Sequence, residues 1–542
     1  MTLTETSPEA PAPAHPGMPA APTGLLSTAD HKRLGLLYLA VSLLFLVVGG
    51  VLGVALRGEL AEAGNQFLGD DFVRVFSMHA TVTPVLFLAP LWIGLATFLV
   101  PLQIGASRLA LPRLHAFAFW LHVIGGGILV ASYIIGRPTG LGLSTASPIR
   151  TPEGGGEVEA VLWAIGLLLV AVATFLASLD LAVTLATLRT PGLTYARLPL
   201  FSLATGVANF VALLAVPVFV AGMLLLYLDQ QFGGQFFGAD NPAAQVVWQH
   251  TAWLFGRPEV YLLLLPGLGA ACDIVATHAR KPLLSHAAAV GLVSAFGLLS
   301  LAAWGAGTKV ADAVVLPTYS PATALVAVPV GLLALLWLGS LAKGAPRFHV
   351  SLAFVAGFLG LAAFGAVNAI VAAVAEVDGG TAWTTAHVHV VVFGAPLLLG
   401  VASLYHWAPK LFGRQLANGL GGIVFLLLFG GFFLNGLGTY LLGYDGAPAH
   451  VGDYTDTTQL NYSRLAAAGG VLVLVGVALL VLDVARALAG RGTATSEADP
   501  YEGLTLEWAT ASPPAPENFD AVPEVRSPYP LYDLRTSGGS TR

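Results

Sequence analysis

The chain has 542 residues, 56% of them hydrophobic and only 10% charged, with a mean hydropathy of +0.78. An average soluble domain carries roughly 25% charged residues, so this composition excludes a soluble globular protein and describes one embedded in a membrane. The net charge of −6, with 24 basic residues scattered along the chain, excludes nucleic-acid binding through a basic patch. Cys272 is the single cysteine, which excludes an intrachain disulfide framework, and no CxxCH motif is present for covalent cofactor attachment.

Residues 1–24 (MTLTETSPEAPAPAHPGMPAAPTG) are rich in Pro and Ala and lack both a basic start and an apolar core. They read as a disordered cytoplasmic leader and not as a signal peptide. From there a window of about 20 residues, enough to cross roughly 30 Å of hydrocarbon, finds twelve candidate spans. They lie at 34–56, 75–100, 114–136, 161–188, 201–228, 250–277, 284–305, 317–342, 349–374, 384–409, 418–442 and 465–489. The predicted fold is therefore an all-α integral membrane protein of twelve transmembrane helices, in a membrane domain covering 25–490. After it, 491–542 is polar and Pro-rich (ADPYEGLTLEWATASPPAPENF) and reads as a cytoplasmic tail lying on that domain. No internal repeat is evident.

Basic residues orient the spans. With the N-terminus inside, every inside loop holds a pair: Lys32 and Arg33, Arg108 and Arg113, Arg189 and Arg197, Arg280 and Lys281, Lys343 and Arg347, Lys410 and Arg414, Arg486 and Arg491. The outside loops share only Arg57, Arg74, Arg137, Arg150, Lys309 and Arg464. Both termini are thus expected on the cytoplasmic side.

Polar groups inside a membrane are costly and point to function. His79 falls a few residues into the second span, and His387 and His389, in TTAHVHVVVFG, a few residues into the tenth. Both spans descend from the outside, so the three histidines share one depth. Residues two apart on a helix point about 200° from each other, so His387 and His389 face opposite sides. They cannot chelate one ion together, but each can give an axial ligand to one of two haems flanking the helix, and His79 can complete a six-coordinate iron. A lone intramembrane histidine is more often a satisfied core residue; three at one depth, two of them in HxH, favour ligands.

Beyond the histidines, the stretches STADHKRLGLLYL (27–39), FSMHATVTPVLFL (76–88), LVPLQIGASRLALPRLHAFAFWL (99–121), RTPGLTYARLPLF (189–201), WQHTAWLFGRPEVYLLLLPG (248–267), AHVHVVVFG (386–394), HWAPKLFGR (406–414) and TLEWATASPPAPENF (505–519) resemble, in order and spacing, subunit I of the haem–copper terminal oxidases of the cytochrome c oxidase type. The resemblance covers nearly the whole chain and implies the haem–copper oxidase subunit I fold. It also implies that His79 and His389 ligate a low-spin haem iron and that His387 is the proximal ligand of a high-spin haem.

Departures from the family pattern are concentrated at its copper and proton sites. Where the family reads HPEVY, with a copper-binding histidine crosslinked to the tyrosine, this chain has Arg257, followed by Glu259 and Tyr261. Where the family has two adjacent copper-binding histidines, the stretch WGAGTKV places Ala306 and Gly307. A guanidinium is always protonated and is a poor metal ligand, and Ala and Gly have no donor side chain, so no copper is expected. Arg108 stands at the family's proton-entrance aspartate, Leu333 at its membrane lysine, Ala449 and His450 at its propionate-binding arginine pair, and Gly379 and Gly380 at its outer metal pair.

These residues lead to the expectation of a membrane di-haem protein, haem type open, that moves electrons from the His79/His389 haem to the His387 haem, with normal O2 reduction and proton pumping lost. Arg257, with Tyr261 and Glu259, would form the distal pocket, where a fixed positive charge stabilises negative oxygen on a ligand; the bland reading is that Arg257 pairs with a haem propionate. Lys309 and Asp312 read as loop charges, and His115, His122, His250, His406, Asn209, Asn368, Asn435 and Asp180 as hydrogen-bonded helix contacts. Two other readings stand beside this one: a working terminal oxidase with an altered centre, and a non-catalytic O2- or NO-binding or assembly subunit. The expected partners are membrane lipid, other oxidase-type subunits, an electron donor and a small ligand such as O2 or NO, in a bacterial-type cytoplasmic membrane.

Overall fold

The structure is a computed structural model and describes residues 24, 27–64, 67–137, 157–238, 241–248, 250–251, 258–302, 309–310, 313–314, 325–377, 380–449, 452–494 and 498–537. Almost all of the leader, and the positions Arg257, Ala306, Gly307, Asp312, Gly379 and His450, lie outside the described residues.

The main elements in chain order are α1 (His31–Glu59), α2 (Gly69–Ile104), α3 (Pro112–Ile135), α4 (Val158–Thr187), α5 (Leu200–Phe232), α6 (Pro258–Ala279), α7 (His286–Ala302), α8 (Ala327–Lys343), α9 (Val350–Val374), α10 (Ala382–Phe412), α11 (Asn418–Tyr444) and α12 (Thr457–Leu488). Among the described residues, nine of these, α1 to α5 and α9 to α12, are long and apolar enough to cross a membrane, while α6, α7 and α8 contain shorter apolar helices. The helices form because long apolar runs in lipid must satisfy every backbone polar group internally. Their ends are set locally: Asp30 Oδ1 accepts from Lys32 N at 2.8 Å to start α1, Asp456 Oδ1 accepts from Thr458 N at 2.8 Å to start α12, and Gly105, Gly233 and Gly413 end α2, α5 and α10 in left-handed conformation.

Lipid gives little hydrophobic drive for helices to associate, so close backbone approach between small residues takes over. A Cβ added to Gly35 of α1 would lie 2.8 Å from Gly94 O of α2, and one on Gly431 of α11 would lie 2.8 Å from Gly469 O of α12. No side chain fits at either crossing.

Two of the helices depart from α geometry. Thr83–Leu88 in α2 and Val388–Gly394 in α10 are π-helical turns, a form that recurs at functional sites. The first follows His79 by four residues and the second contains His389. His79 precedes Gln103 by 24 residues and His389 precedes Lys410 by 21. At about 1.5 Å per residue both histidines sit at a similar distance from the end of the bundle where the tail packs, because Gln103 and Lys410 both bond to tail residues.

That end is closed by residues 498–537. Leu504, Leu506 and Trp508 join the main core. The Lys410 ammonium, fully buried, donates to Thr510 O at 2.7 Å, Ala498 O at 3.0 Å and Ala511 O at 3.3 Å. Arg414–Gln415 pairs antiparallel with Thr493–Ala494. Asn518 donates through Nδ2 to Ala106 O at 2.8 Å and lies against His31 Nε2 at 3.0 Å.

Glu507 is fully buried in this seam. Its Oε1 accepts from Gln103 Nε2 at 3.0 Å and from Trp407 Nε1 at 3.2 Å, while Oε2 has no hydrogen-bond partner among the described residues. Burial pushes the carboxyl up from its ordinary value of 4.5. The docked tail therefore holds the carboxyl proton more tightly than a released tail does. Docking is strongest below the ordinary value and weakens as pH rises through the raised one. Amide exchange over 504–510, corrected for intrinsic rates, should show protection falling as pH rises above the ordinary carboxyl value, and Glu507→Gln should abolish that fall; the same pH dependence in both proteins would refute it.

Candidate functional site: paired histidines between α2 and α10

Two imidazoles meet beside the π-turns, His79 four residues before the first and His389 within the second. The rings of His79 and His389 are nearly parallel, 10° apart, with centroids separated by 6.1 Å. His79 Nδ1 donates to Gly49 O of α1 at 3.1 Å, and His389 Nδ1 donates to Thr385 O, one turn back on its own helix, at 2.8 Å. A carbonyl oxygen can only accept, so both rings carry their proton on Nδ1 and present an unprotonated Nε2. In metal-ligating histidines a bond of this kind from the far ring nitrogen fixes tautomer and ring orientation.

The spacing fits a metal between them. With nitrogen–metal bonds of about 2 Å and a ring radius of about 1 Å, two imidazoles on opposite sides of one ion have centres about 6 Å apart. The chain makes room for the His79 ring by omitting a side chain at Gly53, where an added Cβ would lie 3.2 Å from His79 Cε1. Thr83 Oγ1 donates to His79 O at 2.7 Å and secures the turn that carries the ligand.

His387 turns elsewhere. It is the last α-helical residue before the π-turn, and its Nδ1 lies 3.3 Å from Tyr440 Oη of α11. Tyr440 is itself packed edge-on against Trp383 at 4.9 Å and Phe364 at 5.5 Å. Adjacent odd positions of one helix thus meet α2 on one side and α11 on the other, as the period argument requires. Glu259 and Tyr261 lie in the first turns of α6.

Arg57 is the residue beside the histidine pair that the sequence reading missed. Counted there as an outside-loop cation, it sits in the last turn of α1, which runs to Glu59 and not to residue 56. Its Nη2 donates to Thr439 Oγ1 at 2.8 Å and to Asn435 Oδ1 at 3.5 Å. The guanidinium is close enough to act electrostatically on both His79 and His389. The signal was available: the helical hydropathy run continues through Arg57, one turn after Gly53 and two after Gly49. Asn435 also donates to Ala466 O at 2.9 Å, bridging α11 and α12 as expected of a polar helix contact.

A second buried polar group lies near the tail side. His115 Nδ1 and Asp180 Oδ2 are 3.1 Å apart with both side chains fully buried, and Thr97 Oγ1 lies 2.8 Å from His115 Nε2. His122 does not follow the expectation of a hydrogen-bonded core residue, since neither ring nitrogen has a partner among the described residues. His406 meets His278 at 3.3 Å, Asn368 bonds Phe364 O at 2.8 Å, and His250 is exposed and bonds Val246 O at 2.7 Å.

Among the described residues, nine helices long and apolar enough to cross a membrane enclose a pair of histidines with fixed tautomers, which makes this an integral membrane protein with a candidate metal site within the bundle. Residues 33–473 match the family described as Cytochrome C and Quinol oxidase polypeptide I, and the chain belongs to that family. A Streptomyces avermitilis protein of the subunit 1-beta type is 35% identical over 518 residues, covering 94% of this chain and 91% of the relative. The cytochrome c oxidase subunit 1 of Corynebacterium diphtheriae is 33% identical over 523 residues, covering 94% and 91%. A heme-copper terminal oxidase dimer solved by cryo-electron microscopy shares the fold with a TM-score of 0.70 at 20% identity, over 93% of this chain and 89% of that one. The haem–copper oxidase subunit I fold is thus established, and with it a cytochrome c oxidase subunit I-like protein of respiratory electron transport whose family binds haem.

On the expectation that His79 and His389 hold a low-spin haem, replacing His389 with Ala should remove its signal from the optical and paramagnetic resonance spectra of the purified protein, with helix content unchanged by circular dichroism. An unaltered spectrum would exclude His389 as a ligand.

Proposed function

We propose that this chain is a membrane di-haem electron carrier of the oxidase subunit I type, with His79 and His389 as the axial pair of a low-spin haem and His387 as the proximal ligand of a high-spin haem that has no copper partner. The observation that carries the reading is the parallel His79–His389 pair, whose Nδ1 protons are both committed to backbone carbonyls. Haem held there supplies a one-electron carrier at membrane depth. The protein's part is to hold two imidazoles in fixed tautomers, to make them better donors through the carbonyl bonds, and to keep a positive charge at Arg57 beside them.

The copper side of the proposal rests on sequence. Arg257, Ala306 and Gly307 stand where the family places copper-binding histidines, and none of the three side chains suits copper. Arg257, with Glu259 and Tyr261 two and four residues later in sequence, would then form the distal pocket of the high-spin haem, where its charge favours anionic ligands. Together with Arg108 and Leu333 at the family's proton-path positions, this reading gives a protein that neither pumps protons nor reduces O2 as its relatives' names imply. On this reading the three shorter apolar helices α6, α7 and α8 are spans as well, which gives twelve, and the basic pairs of the tail-side loops support a cytoplasmic side for both termini. Partner subunits and an electron donor follow from family habit. A working oxidase with an altered centre is the second reading, favoured by identity to oxidase subunits over 94% of the chain.

Iron, copper and haem counted on the purified chain separate the two. Two haems and no copper are expected; one copper per chain would return the ordinary oxidase reading. Arg257→Leu should weaken cyanide binding to the ferric high-spin haem by about tenfold or more, the scale of one lost charge-assisted contact, and equal affinity would reject the distal role.

A further inference from the structure

A polar cavity of about 140 Å³ opens at the tail-side end of the bundle, between the end of α6, the loop before α9, the start of α11 and the tail. It lies away from the histidine pair, and its walls are rich in hydrogen-bond donors. His278 and His349 line it, each less than a tenth exposed. The His349 Nδ1 accepts from Ser351 N at 3.3 Å, so the ring proton sits on Nε2 and makes that nitrogen a donor. Burial holds His349 down at about 4, so it donates as a neutral ring at physiological pH.

Two arginines border the same space. Arg280 is fixed by Glu502, whose Oε2 accepts from Nη2 at 2.7 Å and from Nε at 3.2 Å, so the one carboxylate at the cavity is already engaged. The Arg347 guanidinium has no hydrogen-bond or ion-pair partner among the described residues, yet acts electrostatically on His278, His349 and Tyr501. The Tyr501 hydroxyl is buried and has no hydrogen-bond partner among the described residues. Helices α9 and α11 both begin at the cavity wall, at His349 and Asn418, so two positive dipole ends meet there.

We propose that this cavity is a binding site for a phosphate-class anion, either free in the aqueous phase or as the headgroup of an anionic phospholipid. A halide would meet the guanidinium at one point and leave the flanking donors unserved. A tetrahedral oxyanion offers oxygens in several directions, and the planar fork of Arg347 matches two of them at once. The occupant would join the loops before α9 and α11 to the tail at Tyr501 and Glu502, and it does not depend on what the histidine pair holds.

The test uses the full chain in zwitterionic detergent. Inorganic phosphate is titrated by calorimetry against chloride at equal ionic strength, and native mass spectrometry follows retention of phosphatidylglycerol relative to phosphatidylcholine. Saturable phosphate binding, weakened about tenfold or more in Arg347→Gln and partly kept in Arg347→Lys, supports the site with a soluble occupant. Selective phosphatidylglycerol retention that is lost in Arg347→Gln, with no phosphate binding, supports the headgroup form. Asn418→Ala, on the opposite wall, should weaken whichever probe binds. No selective binding of either probe, or binding that Arg347→Gln leaves unchanged, overturns the proposal.

Discussion

The organisation of the site depends on two hydrogen bonds from imidazole to backbone: His79 Nδ1 to Gly49 O and His389 Nδ1 to Thr385 O. In a medium without water, a histidine with an uncommitted proton would adopt whichever tautomer its neighbours allowed, and an unpaired donor there is expensive. Spending both protons on carbonyls leaves two unprotonated nitrogens as the definite outcome. It requires acceptors inside helices, whose carbonyls are ordinarily used four residues on. The nearby π-turns loosen the helical ladders of α2 and α10, and Gly49 and Gly53 of α1 let the backbone of a neighbouring helix come within reach.

The rest of the bundle can be read outward from that pair. Because α1 supplies both a carbonyl and the Arg57 guanidinium, its crossing with α2 must be close, and the Gly35–Gly94 contact keeps it so. Because Arg57 is held by the neutral groups Thr439 and Asn435 and not by a carboxylate among the described residues, its charge remains available to the site instead of being cancelled. Asn435 in turn ties α11 to α12.

Much of this was legible in the sequence, for reasons that differ by residue. Long apolar runs marked the helices, since nothing else survives in hydrocarbon, and the HxH spacing separated His387 from His389 before any contact was known. Arg57 was misread because a hydropathy window ends a span at its first charge, whereas a long side chain can remain in the helix and find hydroxyl and amide partners on a neighbour. The His115–Asp180 pair was invisible for another reason: the partners are 65 residues apart and meet only through the packing of α3 on α4. The π-turns carry no strong local signature, and they decide how the ligands on α2 and α10 are presented.

The seam between tail and bundle bears on how such a chain is made. Lys410, His31 and Gln103, on three different helices, find their partners in residues 498–518. Helices α1 to α12 all precede those residues in the chain. Until those residues dock, a buried ammonium and several amides at one end of the bundle must be served by water or by a helper protein. Docking of 498–518 is therefore the step that dries and seals that face, and the bundle is closed by a segment of its own polypeptide folding back across it.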